Sequence, residues 1–220
     1  MEQEPFMRAL FAAESAEVSK RLGVDPGILL EVIKKGVVAM IKNDGSCTNE
    51  EAFLKIARPN LQIDEQVALE AFDLYYKGNF HNINQLSTPN PLAKKAVELA
   101  KTKADRVILA TNPVFPPEAQ KARLSWIGLE MGDFDHVTHY QNSRYCKPNE
   151  NYYREILSLF DLAPTACLMV GNDVKEDMIP GERLGLDTFL VKNCLIDGGL
   201  PYEGYKQGYF EDLIAFFEAL

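Results

Sequence analysis

The segment from Cys167 to Asp177 is an apolar run that ends in a glycine turn followed by two aspartates. Asp173 and Asp177 are four residues apart, so both carboxylates share one face of a helix if that helix begins near Asp173. In an open α/β sheet this face looks into the crevice beyond the carboxyl ends of the strands, where ligands bind. Two carboxylates there suit Mg²⁺, which leaves its other positions to water and phosphate. A helix capping box formed by Asp173 and Glu176 is the alternative.

Two further polar motifs precede this segment. The apolar run that begins at Val107 ends in Thr111 and Asn112, and a Lys-Pro pair at Lys147 precedes a predicted helix over residues 151–160. A hydroxyl can bind a phosphoryl oxygen, and a lysine can neutralise its charge. Two alternatives stay open, because Thr-Asn-Pro also makes a turn and a single lysine is usually solvated at the surface.

The order of these motifs, strand-Thr-Asn, then Lys-Pro, then Gly-Asn-Asp-x-x-x-Asp, resembles motifs two, three and four of the haloacid dehalogenase-like (HAD) hydrolases. The resemblance covers roughly residues 86–191. It implies that the Thr111 hydroxyl hydrogen-bonds a phosphoryl oxygen, with Asn112 adding a donor, and that Lys147 neutralises charge. It also implies Mg²⁺ as the cofactor, with Asp173 as a direct ligand and Asp177 bound directly or through water.

The first motif of that family, Asp-x-Asp-x-Thr, is not found in this chain. In the family its first Asp is the nucleophile that attacks phosphorus, which splits a hard displacement into two easier steps. Asp133-Phe-Asp135 has the spacing but comes after Thr111, and Lys42 stands where the nucleophile would be in the run before Asp44. We therefore expect the first core strand to be missing, with its segment lying before Met1. We favour a start placed too late, or a truncated sequence, over a natural non-catalytic protein.

The resemblance implies an Mg²⁺-dependent hydrolase, and most commonly a phosphatase that acts on a small phosphorylated metabolite. Dehalogenases and phosphonatases share the fold, but phosphatases are commoner and dehalogenases do not need the metal pair. We predict that the 220-residue chain is inactive, because it lacks the nucleophile motif. The alternative is a non-catalytic HAD-like binding or regulatory protein.

The pattern of apolar residues predicts two domains. Up to about residue 85 the apolar residues recur at helical spacing, and Thr48 and Glu51 have the pattern of a capping box. After the linker-like stretch Ser87–Pro91, strands and helices alternate, which favours a parallel sheet covered on both faces. We predict a small all-helical cap at 1–87, which closes over the site and selects the substrate, and a Rossmann-like, HAD-like α/β core at 88–220.

Composition limits the partners and the location. The net charge is −9, with 46% hydrophobic and 25% charged residues, which is typical of a soluble globular protein and argues against a nucleic-acid partner. No apolar run reaches the length of a membrane span, and no signal peptide is visible. Four widely spaced cysteines predict reduced thiols in a cytoplasmic protein. An unfilled sheet edge would favour pairing with a second chain.

Overall fold

The structure is a computed structural model that describes residues 3–86 and 88–220. Ser87, where the predicted domain boundary falls, and Met1, before which the missing segment is expected, lie outside the described residues. The chain divides into two compact units. The first consists of Met1–Pro89 and Leu109–Cys146, and the second of Asn90–Ile108 and Lys147–Leu220. The assignment of 1–87 as a cap and 88–220 as a core stays a prediction.

Most of the described chain is helical. The α-helices, in chain order, are α1 (Gln3–Leu22), α2 (Pro26–Ile41), α3 (Asn49–Leu61), α4 (Glu65–Lys77), α5 (Leu92–Lys103), α6 (Pro117–Ser125), α7 (Glu150–Leu159), α8 (Ile179–Leu184) and α9 (Phe210–Glu218). A π-helical turn, Val174–Met178, precedes α8 directly. The 3₁₀ turns are Asn79–Leu86, Met131–Asp133, Pro164–Ala166 and Lys192–Cys194. No helix of the described residues has both the length and the apolar character needed to cross a bilayer.

The helices of the first unit begin at capping residues that the sequence provides. The Asp25 carboxylate accepts the backbone N–H groups of Gly27 and Ile28 at the start of α2. The predicted capping box of Thr48 and Glu51 opens α3 and is confirmed. Each such cap satisfies backbone donors that have no partner within their helix.

The core of the first unit is apolar and rich in aromatic rings. Tyr75, Tyr76 and Phe80 contact one another, mostly edge to face, and Phe80 stacks on Trp126 with ring centroids 5.3 Å apart. Leu10 of α1 is fully buried in the same cluster. Burial of such large side chains is the main source of stability in a unit of this kind.

The strands of the described chain form two short sheets. β1 (Ile108–Leu109) and β2 (His136–Val137) make a two-stranded sheet, and β3 (Leu168–Gly171), β4 (Asp187–Val191) and β5 (Gln207–Gly208) make a parallel one in the order β3-β4-β5. The predicted α/β class with parallel strands is therefore confirmed. In the second unit, Ala96 of α5 and Leu213 of α9 share a buried cluster with Phe189 of β4.

Candidate phosphate and metal site

A buried ion pair lies just beyond the carboxyl end of β3. Lys147 Nζ is 2.6 Å from Asp177 Oδ1, and the two side chains are only 6% and 7% exposed. The ammonium also lies 5.6 Å and 5.7 Å from the ring centroids of Tyr152 and Tyr153. Buried charges of this kind are tolerated only when each has a partner. The pair is therefore held in one geometry.

The second oxygen of Asp177 is fixed by the backbone. Asp177 Oδ2 accepts the N–H groups of Asn172 and Asp173, at 3.0 Å and 3.1 Å. Gly171 makes this approach possible, because a Cβ at that position would overlap the Asp177 carboxylate. Together with Lys147, three donors orient the carboxylate.

Asp173 lies at the start of the π-helical turn. Its backbone is extended (φ −112°, ψ 119°) and it is the N-cap of that turn, with Oδ1 accepting the Glu176 N–H at 2.9 Å. The capping role of Asp173 is thus confirmed. That the Asp173 and Asp177 carboxylates share one face stays a prediction.

A proline follows the π-helical turn closely, in the first turn of α8. Pro180 has no N–H group, so it cannot donate to the carbonyl of Glu176, four residues earlier. The Tyr153 hydroxyl donates to that carbonyl instead, at 2.5 Å. Burial raises the pKa of the Tyr153 phenol far above its usual value, and the Asp177 charge raises it further. Tyr153 is therefore a hydrogen-bond donor at neutral pH.

The segment that follows β4 is hydrogen-bonded to the loop that contains Asn172. The Asn172 side chain donates to the Cys194 carbonyl at 2.6 Å. The Ile196 N–H donates to the Asn172 carbonyl at 2.8 Å, and the Ile196 carbonyl accepts the Val174 N–H at 2.9 Å. The sequence does not predict the hydrogen bond from Tyr153 to the Glu176 carbonyl or the one from Asn172 to the Cys194 carbonyl. Tyr153 lies in the predicted helix after the Lys-Pro pair, but nothing in a single sequence indicates that its hydroxyl reaches residue 176.

Thr111 and Asn112 lie in the first unit, just after β1. The Thr111 carbonyl accepts the Thr138 hydroxyl at 2.6 Å, and the Asn112 carbonyl accepts the Val114 N–H at 2.9 Å. The second bond spans two residues and closes a tight turn, as the turn alternative expected. That Thr111 and Asn112 act on the same phosphoryl group as Lys147 stays a prediction.

The carboxylates can be tested for Mg²⁺. Among the described residues no group of three His, Cys, Asp or Glu side chains gathers, but Mg²⁺ needs only one or two carboxylates besides water and phosphate. A carboxylate has about four lone-pair positions. In the contacts described above, Asp173 accepts one hydrogen bond and Asp177 accepts three, so each carboxylate keeps lone-pair positions for a metal. The donor set fits Mg²⁺ held mainly by Asp173, with Asp177 contributing directly or through water.

A protein-family model matches the part of the chain that carries this site. Residues 144–194, which include Lys147, Asp173 and Asp177, match the HAD-hydrolase-like family model. No curated protein matches the chain.

Solved structures extend the likeness to nearly the whole chain. A HAD phosphatase from Thermococcus onnurineus is similar with a TM-score of 0.57 at 14% identity, over 97% of this chain and 90% of that one. The putative HAD-hydrolase YfnB from Bacillus subtilis, bound to magnesium, gives 0.54 at 15% identity, over 96% and 92%. L-2-haloacid dehalogenase from Xanthobacter autotrophicus gives 0.53 at 13% identity, over 94% of each chain. These identities show the fold alone.

Proposed function

We propose that this protein is an Mg²⁺-dependent HAD-type hydrolase whose site is built for the phosphate ester of a small metabolite. The observation that carries the proposal is the buried pair of Lys147 and Asp177, 2.6 Å apart at the carboxyl end of a parallel strand. A buried lysine there provides a fixed positive charge where a phosphoryl group would bind. The phosphatase of the same fold, and the neighbour bound to magnesium, support this reading.

Each residue then has a definite task. Lys147 neutralises charge on the phosphoryl oxygens, and it does so without reorganisation because Asp177 holds it in place. Asp173 and Asp177 would hold Mg²⁺, which when bound polarises a phosphoryl oxygen and orients the substrate. The Thr111 hydroxyl and Asn112 would add donors to the phosphoryl group. Tyr153 positions Asp177 through the Glu176 carbonyl.

The proposal includes that the 220 residues by themselves do not turn over substrate, because they contain no Asp-x-Asp-x-Thr motif. The same observation favours the second candidate, a relative that binds phosphate and metal without catalysis. The proposal also places the protein in the cytoplasm. The four cysteines, which are free among the described residues, support a reducing compartment.

Phosphate binding tests the site without requiring catalysis. Inorganic phosphate is titrated into the chain by calorimetry with and without Mg²⁺. We expect Mg²⁺-dependent binding that Lys147→Ala weakens at least tenfold, since it removes the fixed charge. Lys192→Ala is the matched control, because that lysine also lies over a tyrosine ring, 4.9 Å from the Tyr209 centroid. Equal binding by the Lys147 and Lys192 variants would refute the site.

Turnover separates the enzyme from the binding protein. We expect the 220-residue chain with Mg²⁺ to leave p-nitrophenyl phosphate intact. A chain extended by the upstream in-frame codons should hydrolyse it if those codons encode an apolar run ending in Asp-x-Asp-x-Thr. Upstream codons without that motif would favour the second candidate, a protein that binds phosphate and metal without catalysis. Mg²⁺-dependent turnover by the 220 residues, abolished by Asp173→Ala, would contradict the predicted inactivity.

A further inference from the structure

The first unit buries a carboxyl group that the proposed hydrolase site does not use. Glu14 of α1 is 4% exposed, and its Oε1 accepts the Tyr76 hydroxyl at 2.6 Å. Burial raises the Glu14 pKa to about 7, against a lowering by the Tyr76 hydrogen bond. Among the described ion pairs none includes Glu14. A buried carboxylate without a cation is unusual, because burying an unpaired charge is costly.

Glu14 lines a small, partly open cavity in the first unit. The cavity has about 30 Å³ of room for the centres of water-sized groups, which accommodates about two or three such groups. Its other polar walls are Tyr76 and Tyr140, and its remaining walls are apolar, among them Phe72 and Met40. No Lys, Arg or His is found among the described residues that line it.

This combination of walls selects one kind of ligand. A carboxylate attracts a positive charge, phenol oxygens accept its hydrogens, and aromatic rings favour a cation near their faces. The apolar walls suit a short hydrocarbon stem. A primary ammonium on one or two carbons fits a space for about two or three water-sized groups.

We propose that this cavity binds a primary ammonium group, with Glu14 as its counter-ion. Water inside the cavity beside a neutral Glu14 is the alternative that the experiment excludes.

The ammonium is tested first, without any phosphate. Ethylammonium chloride is titrated into the intact chain at pH 8, at constant ionic strength, and followed by amide chemical shifts. A ligand of three heavy atoms is held at best at about millimolar concentration. We expect saturable binding around Glu14, at least tenfold tighter than that of ethanol, the uncharged ligand of the same size. This comparison needs no variant. Equal binding of ethanol, or no binding of ethylammonium, overturns the proposal.

Two variants then locate the charge. Glu14→Gln removes the negative charge with little change in shape, and we expect it to weaken ethylammonium binding at least tenfold. Glu17→Gln is the matched control, since Glu17 lies on the same helix but its partners are the exposed side chains of Lys20 and Arg21. Undiminished binding by the folded Glu14 variant overturns the proposal.

Discussion

Asp177 in the second unit and Glu14 in the first are buried to the same extent, 5% and 4% exposed, in opposite surroundings. The Asp177 carboxylate accepts hydrogen bonds from the Lys147 ammonium and from two backbone N–H groups. The Glu14 carboxyl group accepts one hydrogen bond, from the Tyr76 hydroxyl. Burial by itself therefore does not tell what a carboxyl group is for. What differs is whether the chain supplies the compensating charge or leaves it to a ligand.

The two carboxyl groups should also affect the free energy of unfolding differently. A compensated carboxylate destabilises the protein only when its partner is removed. An uncompensated one destabilises the protein whenever it is ionised, and neutralising it is then stabilising. The two sites should respond to mutation with opposite signs, and the following predictions test this from the largest effect to the smallest.

Removing Lys147 should have the largest effect. Lys147→Ala leaves Asp177 buried without its cation, and we expect a loss of about 3–5 kcal/mol in the free energy of unfolding. Urea unfolding at pH 7 measures it. Adding Asp177→Asn in the same chain should recover a large part of the loss. A loss below about 1 kcal/mol, which is typical of a solvent-exposed ion pair, would show that the pair is not desolvated.

Removing the Glu14 charge should change the free energy of unfolding in the opposite direction, and this change should depend on pH. Its folded pKa of about 7 is above the ordinary 4.5, so the folded state binds the proton more tightly. The stability from neutral Glu14 is fully present below pH 4.5, falls between pH 4.5 and 7, and is absent above. A shift of this size corresponds to at most about 3 kcal/mol.

Urea unfolding of Glu14→Gln between pH 5 and 8 measures this term. We expect the variant to lose the fall in stability that the unaltered chain shows over this range, and to be the more stable of the two at pH 8. Glu17→Gln should follow the unaltered chain. Parallel curves for all three proteins would mean that Glu14 is not desolvated.

Tyr153→Phe should have an intermediate effect. The Glu176 carbonyl would lose the hydrogen bond from the Tyr153 hydroxyl, and removing one partner of a buried hydrogen bond costs about 1–3 kcal/mol. Because Asp177 follows Glu176 directly, Mg²⁺-dependent phosphate binding should weaken as well. Calorimetry and urea unfolding measure the two effects. Unchanged phosphate binding in a destabilised variant would show a purely structural role.

Asp173→Ala should have the smallest effect on stability and a specific effect on metal. Loss of an N-cap costs about 1 kcal/mol, and Asp25→Ala, which removes the cap of α2, should cost about the same. Only the Asp173 variant should lose Mg²⁺ affinity, as measured by calorimetry. Equal Mg²⁺ binding by both variants would exclude Asp173 as a ligand.

Much of the local structure could be predicted from the sequence. The helix predicted over residues 151–160 is α7 (Glu150–Leu159), and the capping box at Thr48 was readable because a cap involves neighbours along the chain. The same holds for Asp173, whose capping bond spans three residues. The π-helical turn after Asp173 was not predicted, because nothing in the residue pattern indicates hydrogen bonds that span five residues instead of four.

The motif order determined the fold class and the choice of Lys147 and Asp177 as functional residues, because motif order is a property of the chain itself. Only the tertiary structure decided that these two residues, 30 apart in sequence, form one buried pair, and that Glu14 meets Tyr76, 62 residues away, without a cation. The physical reason is that desolvation and charge compensation depend on which side chains the fold brings around a group. No spacing along the chain contains that information.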